Sequence, residues 1–314
     1  MDSRDEQALR AAKLYYESEM SQAEVAAEIG VSRPTAAKLL QHARERGYVT
    51  VEIHDPREMG GELAERLRSR YSPFGLVEVR VVEVARKRDD DLLRELGRMG
   101  AMILEEHVQD GQLVGVSWGN TMYSVAKSLH HRAHQGVEIV QLKGGLSYTQ
   151  SSTNDIETIN LFCRAFDAYA RTLPLPVIFD NVAAKRIVEQ DRHIAHLLEL
   201  GRRTDVVIFT VGATTRESLP LTMGYLSEEE TAQLVDRAVG DACSRFFTRD
   251  GEVALPSVND RTVGISLTEL ASRPTRILVA GGVDKAEAID TALRMGLASH
   301  LVIDADTART ILEG

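Results

Sequence analysis

Short apolar runs rich in Val, Ile and Leu recur through most of the chain and are separated by stretches of helical periodicity. They predict strands at residues 76–82, 114–117, 137–142, 206–211, 277–280 and 301–303. Runs that are apolar throughout are typical of strands buried on both faces of a parallel sheet. Because they alternate with helices, the first predicted over residues 58–71, we expect an α/β fold with a doubly wound sheet over residues 56–314.

Glycine-rich turns follow four of these predicted strands. They read Ser-Trp-Gly-Asn-Thr at 117–121, Lys-Gly-Gly at 143–145, Gly-Ala-Thr-Thr at 212–215 and Gly-Gly at 281–282. The carboxyl ends of parallel strands meet at one sheet edge, where such folds bind ligands. Glycine admits close backbone N–H groups, and a following helix N-terminus favours negative charge, so the turns predict a phosphate site. Tight chain connection is the alternative for any single turn, and the absence of a Walker A or G-x-G-x-x-G motif argues against nucleotide triphosphates and dinucleotides.

The first 55 residues have the pattern of consecutive short helices. Ser21 and Glu24 have capping-box spacing, which predicts a helix start. Gly30 suits a turn with positive φ, and Ser32, with a proline two positions later, suits the start of the next helix. We therefore predict a helix-turn-helix DNA-binding domain, winged-helix-like, at residues 1–55.

The inner face of this domain is predicted from small and apolar residues at helical spacing. Residues 5–19 are expected to form the first helix. The second helix is expected to turn Val25, Ala26 and Ile29 inward, and the third Ala37, Leu39, Leu40 and Ala43. The small residues Ala26 and Ala27 are expected to let these two helices cross closely.

The predicted third helix has a basic outer face. In a helix-turn-helix the first residues of the second motif helix enter the major groove. Residues expected to contact DNA are Ser32, Arg33, Thr35, Lys38, Arg44 and Arg46, the last two through phosphates. The alternating segment 47–53 predicts a short strand that could form a wing. A helical bundle with a solvated basic face is the alternative interpretation.

The chain is acidic overall, with a formal net charge of -10. Since affinity for DNA comes from Lys and Arg at the phosphates, contact is expected only at a local basic patch. Residues 31–50 provide one, with four Lys or Arg against one Glu. The sequence has no signal peptide and no membrane-spanning run, which predicts a cytoplasmic protein without membrane contact.

No metal site is expected from the sequence. Cys163 and Cys243 are far apart and lack ligand partners at zinc-binding spacing. His193 and His196 are expected at the surface, because no acidic residue accompanies them at ligand spacing.

Six segments together resemble the SorC family of sugar-binding transcriptional regulators. They are Ser-Trp-Gly-Asn-Thr at 117–121, Leu-Lys-Gly-Gly at 142–145, Gly-Tyr-Leu-Ser at 224–227, Val-Gly-Asp-Ala-Cys-Ser-Arg-Phe-Phe at 239–247, Val-Gly-Ile-Ser-Leu at 263–267 and Ala-Gly-Gly-Val-Asp-Lys at 280–285. The resemblance implies an effector domain related to sugar-phosphate isomerases, a phosphorylated sugar as ligand, and a homo-oligomer, dimer or tetramer, on operator DNA. The stretch 141–180 most resembles members that respond to deoxyribose 5-phosphate, which implies a repressor of deoxyribonucleoside or deoxyribose catabolism genes.

Lys143 stands where many members of this family have an apolar residue. A desolvated lysine loses its proton more readily and can attack an aldehyde carbon to form a Schiff base. We therefore expect either a covalent effector adduct at Lys143 or a plain charge pair with the phosphate or an acidic neighbour.

The other effector contacts are expected from the turns and from polar residues near them. Phosphate-side candidates are Ser117, Gly119, Asn120, Thr121, Met122, Tyr123, Gly144, Gly145, Gly281, Gly282 and Lys285. Asp241 and Asp260 are candidates for the sugar hydroxyls, whereas Arg245 and Phe246 could close the site. Asp241 as a helix cap and Phe246 as a core residue are the alternatives.

Two other functions use the same residues. The fold and Lys143 would suit a sugar-phosphate aldolase or isomerase, but such an enzyme has no use for a helix-turn-helix. An activator that needs its effector to bind DNA cannot be separated from a repressor by sequence. A regulator rather than an enzyme is therefore expected, with no cofactor besides its effector.

Overall fold

The computed structural model describes residues 3–18, 20–49, 61–84, 89–147, 149 and 153–314. The chain divides into two compact units, residues 1–55 and 56–314. Each unit has a hydrophobic core of its own.

The N-terminal unit contains three helices: α1 (Ser3–Ala12), which continues as a wider π-helical turn (Lys13–Glu17), α2 (Gln22–Ile29) and α3 (Arg33–Glu45). The capping box is confirmed, since the Ser21 hydroxyl accepts from the Glu24 N–H and the Glu24 carboxylate accepts from the Ser21 N–H. Gly30 ends α2 with φ +77°, and the Ser32 hydroxyl caps α3. The local start and stop signals thus place both helices of the motif.

The core of this unit differs in detail from the sequence prediction. Ala36 is fully buried and Ala37 only partly, because the buried stripe of α3 follows the spacing of Ala36, Leu39, Leu40 and Ala43. On α2, Val25 and Ala26 are buried and Ala27 is exposed. Residues 47–49 form a turn rather than the start of a strand, and the rest of the predicted wing, 50–53, lies outside the described residues, as does position 19 of the predicted first helix.

A buried carboxylate ties the two ends of this unit together. Asp5, near the start of α1, accepts hydrogen bonds from the Arg46 guanidinium at 2.7 Å and from His42 Nε2 at 2.7 Å. These bonds, Arg46 first, hold the pKa of Asp5 well below its usual value. Arg46 is therefore part of the scaffold of the unit.

The second unit is built on seven parallel strands in the order β1-β10-β9-β5-β2-β3-β4. Their bounds are β1 Glu78–Val82, β2 Leu113–Val116, β3 Glu138–Gln141, β4 Tyr169–Arg171, β5 Val206–Phe209, β9 Thr275–Val279 and β10 His300–Asp304. The predicted doubly wound α/β sheet is confirmed, and all six predicted strands are found. The edge strand β4 was missed because it is short and its side chains are largely exposed.

Helices cover both faces of this sheet. One face carries α5 (Asp89–His107), α6 (Asn120–Ser128) and α7 (Asp155–Phe166). The other carries α4 (Glu62–Tyr71), α14 (Ala286–Arg294) and α15 (Ala305–Glu313). Successive strand residues point to opposite faces, so that Val206 and Ile208 join one core cluster while Val207 and Phe209 join the other.

A three-stranded antiparallel sheet stands beyond the carboxyl end of β5. It contains β6 (Val211–Ala213), β7 (Gly240–Ala242) and β8 (Arg245–Phe247), in that order. The sequence predicted one strand over 206–211, but the chain leaves the main sheet after Phe209 and pairs with β7 instead. This small sheet was not predicted, and it carries part of the site described below.

The remaining helices are short connections. They are α8 Val182–Glu189, α9 Arg192–Arg202, α10 Leu219–Thr222, α11 Glu228–Arg237, α12 Pro256–Asn259 and α13 Leu267–Ala271, with 3₁₀ turns at Ser72–Phe74 and Val283–Lys285. Among the residues described, no helix is both long and apolar enough to cross a membrane.

We predict that Asp5→Asn loosens the N-terminal unit in a pH-dependent way. A carboxylate with a lowered pKa in the folded state stabilises it above the unfolded pKa of about 4, and loses that contribution as the pH falls further. Hydrogen exchange followed by mass spectrometry should therefore show faster exchange in peptides from residues 3–49 at pH 7, with the difference from wild type shrinking towards pH 3. Glu6→Gln, at the exposed neighbouring position, is the matched control; equal effects of the two variants would contradict the assignment.

Candidate functional site

The turns after β2, β3, β5 and β9 converge on one cavity of about 270 Å³. Six residues predicted to contact the effector line it: Gly119, Asn120, Thr121, Lys143, Asp241 and Lys285. Trp118, Asp284 and the segment 210–220 complete most of the remaining wall. The parallel topology explains this convergence, because it brings the carboxyl ends of β2, β3, β5 and β9 to the same edge.

One end of the cavity is suited to an anion. Gly119 precedes α6 with φ +126° and ψ 175°, a conformation that favours glycine, and no side chain caps the first turn of α6. Asn120 and Thr121, the first residues of α6, line the cavity together with Lys285. The N-terminus of α6 and the Lys285 side chain therefore face the same space. Uncapped N–H groups and a lysine are the donors that phosphate prefers.

The Lys143 side chain lines the same cavity and is buried, with 4% of its surface exposed. Its Nζ donates to the Ser244 hydroxyl at 3.2 Å and lies 3.6 Å from the centre of the Trp118 ring. The indole N–H of Trp118 in turn donates to the Gly144 carbonyl at 2.8 Å. Burial lowers the pKa of Lys143, and the nearby Asp241 offsets part of this shift. The amine therefore loses its proton more easily than a surface lysine and can act as a nucleophile.

Asp241 lies in β7 and is buried beside the amine. Burial raises the pKa of its carboxyl, against the opposing effect of Lys143, and Oδ2 accepts from the Ser244 N–H at 3.0 Å. The pKa of Lys143 is lowered and that of Asp241 is raised, so both shifts favour the uncharged forms of the side chains. The pair is therefore suited to passing a proton.

The turn between β7 and β8 supplies a contact that sequence reasoning missed. Cys243 and Ser244 have φ of +52° and +62°, the left-handed pair that a two-residue hairpin turn of type I′ requires. Such turns are usually recognised by Asn-Gly, so the Cys-Ser pair gives no signal. The backbone strain directs the Ser244 hydroxyl to Lys143 and its N–H to Asp241.

Several predicted effector contacts lie away from the cavity. The Arg245 guanidinium donates to the carbonyl oxygens of Asn259, Thr262, Gly264 and Ile265 and so fastens the chain after α12 to β8. Asp260 lines a different cleft. Phe246 is buried in the cluster that contains Trp118, as the core alternative stated.

Three further predicted effector contacts, around the N-terminus of α6, also lie away from the cavity. Met122 is buried in the core beneath the sheet, and the Tyr123 hydroxyl donates to Glu157 at 3.0 Å. Ser117 is buried, and its hydroxyl has no hydrogen-bond partner among the described residues. None of these three lines the cavity.

The paired glycines serve close packing rather than the cavity. A Cβ on Gly144 would stand 2.4 Å from the Pro176 carbonyl oxygen, and one on Gly145 would stand 1.8 Å from an Asp155 carboxylate oxygen. Gly281 packs against the Asp304 carboxylate in the same way. The N–H of the next residue, Gly282, is already donated to Asp304 at 2.9 Å, so it is not offered to a ligand.

In the N-terminal unit, four of the six predicted DNA contacts are exposed cations, and two of them lie near the start of α3. Arg33 and Lys38 are exposed on the first half of α3. Ser32 and Thr35 are exposed too, but their hydroxyls bond each other at 2.8 Å in the cap of α3.

Arg44 and Arg46 are exposed as well, but each also bonds within the N-terminal unit. Arg44 donates to the Tyr16 hydroxyl at 2.6 Å, and Arg46 pairs with Asp5. Among these four cations, the charge of Arg46 is therefore partly offset by a carboxylate, and the role of Arg44 and Arg46 at phosphates stays a prediction.

Comparison with known proteins finds relatives along nearly the whole chain. The family described as "Putative sugar-binding domain" matches residues 58–313. The deoxyribonucleoside regulator of Bacillus subtilis (strain 168) is 44% identical over 313 residues, which covers 99% of each chain. The structure of the full-length sorbitol operon regulator SorC from Klebsiella pneumoniae is similar with a TM-score of 0.75, 26% identity, and coverage of 99% of this chain and 100% of that one.

A domain of a possible sugar-binding transcriptional regulator from Arthrobacter aurescens TC1 is also similar, with a TM-score of 0.74 and 28% identity over 83% of this chain and 100% of that one. The Bacillus and Klebsiella proteins are both named as regulators. These matches confirm the prediction of a regulator rather than an enzyme.

We predict that Gly119→Ala destabilises the second unit. Space for a methyl group exists, since nothing lies within 4 Å of the added Cβ, so the penalty comes from the backbone conformation alone. We expect a loss of about 1–3 kcal/mol in the free energy of unfolding, measured by urea denaturation with circular dichroism. Gly201→Ala, also in open space but within α9, should instead be neutral or stabilising by up to about 1 kcal/mol; an equal loss in both variants would contradict the argument.

Proposed function

We propose that this chain, which belongs to the SorC family of sugar-binding transcriptional regulators, is a DNA-binding repressor released from its operator by deoxyribose 5-phosphate. The genes it controls are then those of deoxyribonucleoside or deoxyribose catabolism. It acts in the cytoplasm as a homo-oligomer, a dimer or tetramer, because paired recognition helices read paired half-sites.

The observation that carries this proposal is the buried Lys143 amine in a cavity with an uncapped helix N-terminus. A sugar phosphate with an open-chain aldehyde can bind to both features. Its phosphate would bind at the α6 N-terminus and Lys285, and its aldehyde carbon C1 would react with Lys143. The cavity of about 270 Å³ is close to the lower limit of roughly 300 Å³ for ligand pockets. It therefore suits a small polar ligand of this kind, whereas larger cofactors need more space. The 44% identity to a deoxyribonucleoside regulator supports the choice of sugar.

The contact at C1 is a reversible Schiff base. The free electron pair of Lys143 Nζ attacks C1 of the aldehyde, and the resulting carbinolamine loses its hydroxyl as water to give the C=N bond. Asp241, whose pKa is raised, supplies the proton for the departing water and receives one on reversal. No oxidant, reductant or cofactor enters this step.

We predict that operator affinity falls when deoxyribose 5-phosphate is added and falls less with ribose 5-phosphate or fructose 1,6-bisphosphate. A ligand that favours the DNA-free state must weaken DNA binding by its own coupling free energy, typically about 1–3 kcal/mol or 5–150-fold. The measurement is fluorescence anisotropy on operator fragments selected from genomic DNA. An increase in affinity would assign an activator, and equal responses to all three sugars would refute the effector assignment.

Variants on α3 test the DNA-binding part independently of the effector. Arg33→Ala should weaken operator binding by about 1–3 kcal/mol, or roughly 5–150-fold. Arg10→Ala, an exposed arginine on α1 paired with Glu28, is the matched control and should bind as wild type.

We predict that borohydride reduction in the presence of deoxyribose 5-phosphate traps the sugar on Lys143. Peptide mass spectrometry should find the reduced adduct there in wild type, none in Lys143→Arg, and loss of the operator response in that variant because Arg cannot form an imine. Lys185→Arg, in another cleft, should retain both adduct and response. An unmodified Lys143 at saturating effector would refute covalency while leaving the repressor assignment to the operator measurement.

A further inference from the structure

Two histidines and a glutamate meet at the opposite edge of the main sheet from the cavity. Glu78 begins β1, His300 begins β10 and is paired with Glu78 in register, and His107 is the last residue of α5. One side-chain ligand atom from each lies within 4.8 Å of the other two. His300 Nε2 and Glu78 Oε2 are 3.9 Å apart, too far for a hydrogen bond.

The hydrogen bonds around these residues fix which atoms carry protons. His107 Nδ1 lies 2.7 Å from the Ile103 carbonyl oxygen, which only accepts, so Nδ1 carries the hydrogen and Nε2 has a free electron pair. His300 Nδ1 lies 2.8 Å from the Ser299 hydroxyl. That hydroxyl donates its own hydrogen to the Arg276 carbonyl, so it accepts from His300. His300 Nε2 is then free as well.

The glutamate is oriented in a similar way. Oε1 of Glu78 accepts from the Arg80 Nε–H at 2.7 Å, which leaves Oε2 turned towards the histidines. In the part of the chain that the structure describes, nothing donates a hydrogen bond to Oε2 or to either Nε2 atom. Each of these three neighbouring atoms therefore keeps an electron pair that no described hydrogen-bond donor uses.

We propose that Glu78, His107 and His300 bind a divalent transition-metal ion of the zinc type. Two imidazoles and one carboxylate are ligands that zinc takes at about 2.0–2.2 Å, with at least one position left for water. Zinc at these bond lengths needs ligand atoms roughly 3.3 Å apart, so the three side chains must close by up to about 1.5 Å. The bonds from Nδ1 to a carbonyl and a hydroxyl are the outer contacts that orient metal-binding histidines.

The surrounding charges allow a cation in this place. Arg80 is paired with both Glu78 and Glu106, which leaves one net negative charge in that group. Arg276 is a further cation near His300. A bound ion would connect the end of α5 to β1 and β10.

The test uses the full chain, freed of metal by a chelator and titrated with ZnCl₂ in a calorimeter. We expect one ion per chain, and a higher melting temperature at excess zinc, since binding to the folded state alone adds about 2.7 kcal/mol at a hundredfold excess over Kd. His107→Gln and Glu78→Gln should weaken binding at least about tenfold. His193→Gln, an exposed histidine on α9, should bind as wild type.

A cobalt titration separates this site from surface histidines. Co²⁺ at the site should give a visible absorption band that is lost in His107→Gln and Glu78→Gln and kept in His131→Gln. Circular dichroism checks that each variant is folded; the Glu78 side chain is partly exposed, and Glu78→Gln keeps its size and shape. Absence of saturable binding in wild type, or equal binding in His107→Gln and Glu78→Gln, would overturn the proposal.

Discussion

The burial of one amine constrains the second unit more than any other interaction. A lysine removed from water must find partners or give up its charge. Among the described residues, Lys143 Nζ contacts the Ser244 hydroxyl and the face of Trp118, with the Asp241 carboxyl nearby. Each of these two partners is itself held in position. Ser244 is held by a left-handed hairpin turn, and Trp118 by its hydrogen bond to the Gly144 carbonyl. Ser244 and Gly144, which do not line the cavity, therefore help to set the reactivity of the amine inside it.

Sequence reasoning succeeded where the determinants are local. Ser21, Glu24 and Gly30 decide their helix ends by contacts within a few positions, and the turns after buried strands must meet at one sheet edge once the sheet is parallel. Gly119, Lys143 and Lys285 were found for that reason. Their neighbours Ser117 and Met122 do not line the cavity, because Ser117 is buried and Met122 belongs to the core beneath the sheet.

Sequence reasoning does not reach contacts between distant segments. Arg245 has the composition of a ligand contact, but β8 pairs with β7 and turns the guanidinium towards the carbonyls after α12. Arg46 has the composition of a phosphate contact, but Asp5, 41 positions earlier, holds it. Glu78, His107 and His300 are brought together only by the pairing of the first strand with the last and by the length of α5. No spacing rule connects such residues.

The packing of the single tryptophan against the reactive amine has one more consequence. Indole emission responds to nearby charge, and Lys143 Nζ lies 3.6 Å from the ring centre. Any event that alters the charge or substitution of that nitrogen changes the electric field at the chromophore. The protein thus contains an intrinsic optical reporter at the cavity, with no second tryptophan to obscure it.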